Sequence, residues 1–250
     1  MRPRLLRILL LVDLVVLSGG LFLVAGRYWS SDVDLEEART RFRESRAPTE
    51  AHPGLPAPGV YQYRTTGGEW VSLFDTYRAY SPTTMRIVTR HGCGVREEQF
   101  FVTQHLEYYD RCGDRLVAYG TDIAYWWVHG TQDFVCEGGS FDMAGRRPGD
   151  RVEWDCADED TRARQITEYV GDETVEVEGV HLPARRTRWT TIFSGATVGG
   201  AVVDDWFDPS TGLLLRERRD IVLQVGSQFV GRLDYIDRSD YTLLSVTPAR

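Results

Sequence analysis

The sequence predicts an all-β fold preceded by one transmembrane helix, with the strands forming a curved antiparallel sheet (half-barrel, or barrel/sandwich). Three observations carry this reading. From Gly59 onward, short alternating runs are separated by turn signals about every eight to twelve residues, the spacing of strands in sandwiches and barrels. No convincing helical pattern follows Arg46. Ile8 to Ala25, ILLLVDLVVLSGGLFLVA, is apolar except for Asp13 and Ser18. As a helix it would run about 27 Å, the thickness of a bilayer core.

That apolar run sets the organisation of the chain. Residues 1–7 carry Arg2, Arg4 and Arg7, which hold a cytoplasmic tail inside. Residues 8–26 form the membrane helix, 27–58 a juxtamembrane helix and Pro-rich linker, and 59–250 an extracytoplasmic β-domain. The run exceeds a signal-peptide core and no A-x-A site follows, so a retained signal anchor is favoured over a cleaved signal peptide. Tyr28 and Trp29 suit the outer aromatic belt. Asp13 either reaches the interface or contacts a partner helix, with Gly19 and Gly20 allowing close approach. Ser30 to Arg46 reads as a short helix capped by Ser31 or Asp32, with a thin apolar stripe of Leu35, Ala38 and Phe42 that fits a solvated stalk. Ala47 to Pro58 contains four prolines and reads as a stiff spacer.

Composition narrows the partners. A formal charge of −8 argues against nucleic acid, whose phosphates need a basic face. All 29 basic residues are Arg, and Asn is also absent, as expected of a GC-rich bacterial coding sequence. Cys93, Cys112, Cys136 and Cys156 all fall in the exported part, where an even number suggests disulfides. Sequential pairing joins neighbouring strands of a meander, and each bridge would contribute ~3 kcal/mol. Short metal-binding knuckles are absent from these spacings.

The strands follow in order. Val60–Arg64 and Glu69–Phe74 flank a Thr66-Gly67-Gly68 turn. Thr83–His91 alternates Met85, Ile87 and Thr89 against Arg86, Val88 and Arg90. Val95–Thr103, Leu106–Tyr109, Arg115–Tyr119 and Ile123–His129 continue the series, the last as one aromatic-rich strand. Arg151–Cys156 follows the Arg147-Pro148-Gly149-Asp150 turn. Arg164–Val170 and Glu173–Glu178 make a hairpin about Gly171-Asp172. Leu182–Phe193, Ala201–Phe207, Leu213–Val225 and Phe229–Val246 complete about thirteen candidates, with Asp208 to Gly212 a strong turn.

The stretch DWFDPSTGLLLRERRD (Asp205–Asp220) and the closing DYTLLSVTP (Asp240–Pro248) resemble the C-terminal strands of exported bacterial β-domains, including the half-barrel lipoprotein carriers of the LolA/LppX type. The resemblance implies a curved sheet around an apolar ligand. It covers roughly the last fifth of the chain and carries over no site residues. The membrane helix and the four cysteines depart from that pattern, and the plugging helices of such carriers are not evident.

No catalytic motif emerges. The five histidines lack metal-ligand spacing, no G-x-S-x-G, P-loop, G-x-G-x-x-G or C-x-x-C occurs, and no cofactor is implied. Asp155, Asp158, Glu159 and Asp160 read as a solvated loop and not as a Ca²⁺ loop, and Asp204, Asp205 and Asp208, beside Trp206 and Phe207, do not by themselves make a glycosidase pair. The remaining signal is aromatic. In one extended strand Tyr125, Trp127 and His129 would share a face, with Tyr108 and Phe101 in the same third of the domain. These five are the candidate ligand-binding residues, for an acyl chain, a glycan or a partner peptide. The leading expectation is a non-catalytic, membrane-anchored, extracytoplasmic protein that binds an apolar ligand or envelope partner. The alternatives are an exported hydrolase with a spatially assembled site, or an accessory or sensory subunit of a membrane complex.

Overall fold

A computed structural model of the chain describes residues 32–45, 48, 54–125, 128–227 and 231–250. The expected cytoplasmic tail, membrane helix (Ile8–Ala25), part of the linker, and Trp127 lie outside the described residues. Among the described residues, no helix is long and apolar enough to cross a membrane.

The sheet is antiparallel throughout and closes on itself. Its strands are β1 (Gly59–Val71), β2 (Thr76–Ala79), β3 (Thr83–His91), β4 (Gly94–Val102), β5 (His105–Cys112), β6 (Arg115–Tyr125), β7 (Val128–Glu137), β8 (Arg151–Ala157), β9 (Thr161–Val177), β10 (Val180–Gly195), β11 (Thr197–Phe207), β12 (Leu214–Ser227) and β13 (Gly231–Leu243). β1 pairs with β3, each of β3 to β12 pairs with the next, and β13 returns to β1 from Tyr63↔Leu243 to Val71↔Tyr235. The result is a closed barrel of 12 strands, with β2 added beside the far half of β1. Closure removes the free edges that a half-barrel would expose. The expectation of a barrel holds in this closed form, without the open side of a half-barrel.

Three segments differ from the sequence reading. Thr66-Gly67-Gly68 is not a turn: β1 runs straight through it. Gly67 has φ +100°, and a Cβ there would collide with the Arg238 carbonyl of β13. Glycine admits that close approach. Gly171-Asp172 is likewise interior to β9, where the ladder with β10 shifts register beside Arg186/Thr187. The Gly signal marked a bulge, and the real turn is at Glu178-Gly179. The aromatic run is not one strand: β6 ends at Tyr125, β7 begins at Val128, and those two residues pair.

The disulfides join Cys93 to Cys112 and Cys136 to Cys156, as sequential pairing predicts. Cys136 and Cys156 face each other directly across β7 and β8. The Asp208 turn also forms, its carboxylate accepting from the backbone N–H groups of Ser210 and Thr211.

The expected short helix forms as α1 (Leu35–Glu44) and is capped by Asp34, which accepts from the Glu37 N–H at 2.7 Å, in place of Ser31 or Asp32. It is no solvated stalk. Ala38 and Phe42 are buried with Val33 against Val60, Met85, Ile87 and Phe100 on the outer wall of β1, β3 and β4. That packing explains why β3 carries apolar side chains outward: α1 covers them. The opposite face of β3 therefore points Arg86 into the barrel, where it is 1% exposed.

Elsewhere the outer wall is mixed, with Ile192, Val202 and Val222 exposed on β10 to β12 among charged side chains. Cross-strand pairs such as Arg238–Asp220 (3.1 Å) and Arg188–Asp204 (3.0 Å) lie along it. A lipid-facing barrel shows the reverse, an apolar band outside and a polar interior.

Candidate functional site

Twelve strands enclose more space than their side chains fill; about eight is the number at which inward side chains just close the lumen. The interior accordingly holds a cavity of about 220 Å³. A single water needs roughly 10–15 Å³ on this measure, so the space is of ligand size.

The alternation of each strand decides what lines it. Toward the end bearing the β10–β11 and β12–β13 connections, the inward residues are apolar: Ile221, Leu223 and Val225 on β12, Ala201 and Val203 on β11, Phe193 on β10, Val128 on β7 and Leu233 on β13. Several of these are only half buried, because they face the empty space. Further along the same strands the lining turns ionic. The next inward residues on β12 are Arg219 and Glu217, and on β11 Asp205. Below them the barrel is plugged. The β7–β8 loop folds in and places Phe141 against Trp189 (4.7 Å between ring centres) and Phe207 (5.0 Å).

The ladder has one seam beside the cavity. β7 pairs β8 only from Val135 to Glu137, while residues 128–135 pair β6. Across that seam Gln132 donates to Thr197 at 2.8 Å.

The ionic layer is a network. Arg86 donates to Gln99 (2.9 Å), Glu97 (2.8 Å) and the Tyr241 hydroxyl (3.2 Å). Arg219 donates to Glu217 (2.7 Å), to Glu107 (2.8 and 3.0 Å) and to Asp237 (3.3 Å). His105 sits between Glu69 (3.1 Å) and Glu107 (3.3 Å) and is wholly buried. Burial works against its charge, but the two carboxylates outweigh it and hold the imidazole up at about 9. Burial likewise opposes ionisation of Glu69, yet His105 and Arg78 bring it down to about 2. Asp237 goes the other way: burial raises it to about 6 despite Arg219 and His105.

Asp205 is the outlier of this layer. It lies opposite Glu217 on the adjacent strand and is 3% exposed. Burial pushes its carboxyl well above the ordinary range, and the neighbouring Glu217 pushes it further. Asp205 Oδ1 has no hydrogen-bond partner. By contrast Asp204, one residue earlier, points outward. There Arg186, Arg188 and Arg218 hold its carboxyl below the ordinary range against partial burial.

Of the five candidate binding residues, Tyr125 lines the cavity, with Arg78 over its ring at 4.0 Å. His129 does not join it: the imidazole is solvent-exposed and bonded to Asp122 across the β6–β7 hairpin. Tyr108 faces outward and donates to Asp133 at 2.7 Å. Phe101 is core, stacked on Tyr80 at 4.5 Å and near Tyr241. Trp127 lies outside the described residues. The sequence reading missed Arg86, Glu107, Asp205, Glu217 and Arg219. One signal was present: in LRERRDIVLQV, charges occupy both faces at the start, and one face then becomes Ile221, Leu223 and Val225.

No known family model matches the chain, that of the LolA- and LppX-like carriers included. No curated protein matches it either. Among solved structures, the chain is similar to the hypothetical lipoprotein YmcC from Escherichia coli K12. The match has 11% identity and a TM-score of 0.39, and covers 87% of this chain and 100% of that one.

Proposed function

We propose that this chain is a membrane-anchored protein of the bacterial cell envelope whose extracytoplasmic barrel binds an apolar ligand in its interior, without catalysing a reaction. The observation that carries the reading is the cavity of about 220 Å³, lined by Ile221, Leu223, Val225, Val203 and Phe193. An apolar chamber of this size gains by accepting an apolar body, at about 25 cal/mol for each Å² removed from water. Two further features support the address. Paired disulfides belong to oxidising compartments. Ile8–Ala25 is apolar and follows three arginines, which fits an anchor with its N-terminus in the cytoplasm.

The test uses the full-length chain on affinity resin in detergent, incubated with radiolabelled dodecane. The Ala201→Phe variant, whose added ring occupies the chamber, measures background partition into the micelle. Retention near one dodecane per chain above that background supports the reading. Equal retention by both proteins overturns it.

A further inference from the structure

An apolar row crosses the outside of the barrel wall. Ile192 on β10 stands opposite Gly200 on β11, which stands opposite Val222 on β12. Val222 stands opposite Ile236 on β13, Ile236 opposite Trp70 on β1, and Trp70 opposite Tyr77 on β2. From β10 to β1 these positions face outward, because their chain neighbours Phe193, Ala201, Ile221, Tyr235 and Val71 line the chamber. Ile192 is 53% exposed, Val222 50% and Tyr77 58%, and Val202 lies beside the row. At about 4.8 Å between strands, the row runs for roughly 24 Å. Single exposed apolar residues are ordinary, but an aligned row marks an interaction site. The outward apolar residues of β3, Met85 and Ile87, are covered by α1. Nothing among the described residues covers this row in the same way.

Resting on the membrane-anchored reading, we infer that this row docks on the anchoring bilayer, in the headgroup boundary of anionic phospholipids. Chain length brings the two together. The apolar run ends at Ala25, and Val33 is already packed on the barrel with Val60 of β1. The chain between them reaches at most about 30 Å, so the barrel stays beside the bilayer. Charge selects the face. The outward positions of the six strands carry Arg64, Arg186, Arg188, Arg216, Arg218, Arg232 and Arg238 against Asp204, Asp220, Asp234 and Asp240. This face is therefore cationic on a chain of formal charge −8. Three of those arginines converge on the single carboxylate of Asp204. An anionic surface complements that excess, whereas a second copy joined through the same face would set arginine against arginine. Depth sets the mode. A membrane-spanning barrel needs an apolar band about 25 Å tall. A row one residue deep instead suits the shallow burial of interfacial elements, with Trp70 and Tyr77 as the aromatic residues that favour that zone.

The experiment places the full-length chain in vesicles of phosphatidylcholine and phosphatidylglycerol that contain doxyl-labelled phosphatidylcholine as a quencher. All four native cysteines are in disulfides, so one introduced thiol takes a nitrobenzoxadiazole label alone. Val222→Cys puts the label in the row, and Val135→Cys puts it on exposed β7, five strands away. The expected result is loss of fluorescence from the label at 222 and none from the label at 135. Adding Ile192→Glu to Val222→Cys, an exposed charge in the same row, should restore the signal while the chain still floats with the vesicles. Equal quenching at both positions, no quenching at 222 in chains that float, or quenching unchanged by Ile192→Glu overturns the docking. Shielding of the label at 222 from aqueous iodide without doxyl quenching also overturns it, because a protein then covers the row. Failure of the unlabelled chain to float with the vesicles instead overturns the anchored reading, and the docking with it.

Discussion

The two halves of the barrel interior are built by opposite means from the same strands. On β12, Ile221, Leu223 and Val225 face an open apolar chamber, and two residues before Ile221 Arg219 donates to four groups, Glu217, Glu107, Asp237 and the Tyr241 hydroxyl. The apolar half is under-filled and so has room for a guest. The ionic half is nearly saturated, because an unpaired charge in a low dielectric is costly. The difference teaches that the ionic layer is a rigid floor and the apolar half a vessel standing on it. A side chain removed from the floor leaves its partners stranded. A side chain added to the vessel meets empty space.

That contrast sets the size of the effects. The largest should come from Arg219→Met, which strands Glu107, Glu217 and Asp237. Urea unfolding should show a loss of about 3–5 kcal/mol or no folded protein. A change under 1 kcal/mol would break the comparison.

Acid and base should act through the same floor. His105 is raised from 6.5 to about 9, so its contribution is fully present below pH 6.5 and is lost as pH rises through 9. Raised from 3.8 to about 6, Asp237 contributes fully below pH 3.8, and that contribution is lost as pH rises through 6, on the acidic side of the His105 window. Glu69 is lowered from 4.5 to about 2, so its contribution holds above pH 4.5 and is lost as pH falls through 2. Thermal unfolding should therefore peak in the mildly acidic range and fall by roughly 2–3 kcal/mol toward pH 10. His105→Gln should flatten the alkaline limb; an unchanged limb would assign it to other groups.

Smaller effects are expected in the vessel and on the outer wall. Ala201→Phe should shift stability by less than about 1 kcal/mol, because it fills space in place of forcing a packed core apart. A loss of 3 kcal/mol or more would mean the chamber is closed in solution. The smallest change should follow Arg238→Ala, which removes an exposed partner of Asp220 and should cost within about 0.5 kcal/mol. Denaturant midpoints of the two variants, measured side by side, check both.

Much of the architecture was legible in the sequence, and the failures have physical causes. Strand spacing from Gly59 and the pairing of Cys93 with Cys112 and Cys136 with Cys156 depend on local order along a meander, which a sequence displays directly. Closure does not: Tyr63 meets Leu243 from the far end of the chain. Gly171 reads as a turn in the sequence because turns and bulges ask the same thing of a glycine, a backbone free of Cβ. The site was less legible still. Arg86 and Met85 alternate on β3, and the usual rule places the arginine outside. Helix α1 reverses it by covering Met85 and Ile87, a tertiary fact with no local signature. The aromatic cluster led to Tyr125 but also to Phe101 and Tyr108, since aromatic density marks strands without stating which face looks inward.

The central claim is that the barrel carries an apolar guest inside it, and native mass spectrometry of the full-length chain purified from its own host's envelope tests it most directly. The expected result is an added mass of an apolar molecule on the natural protein and its absence from the Ala201→Phe variant purified in parallel. A bare chain in both preparations, or the same adduct on both, would contradict it.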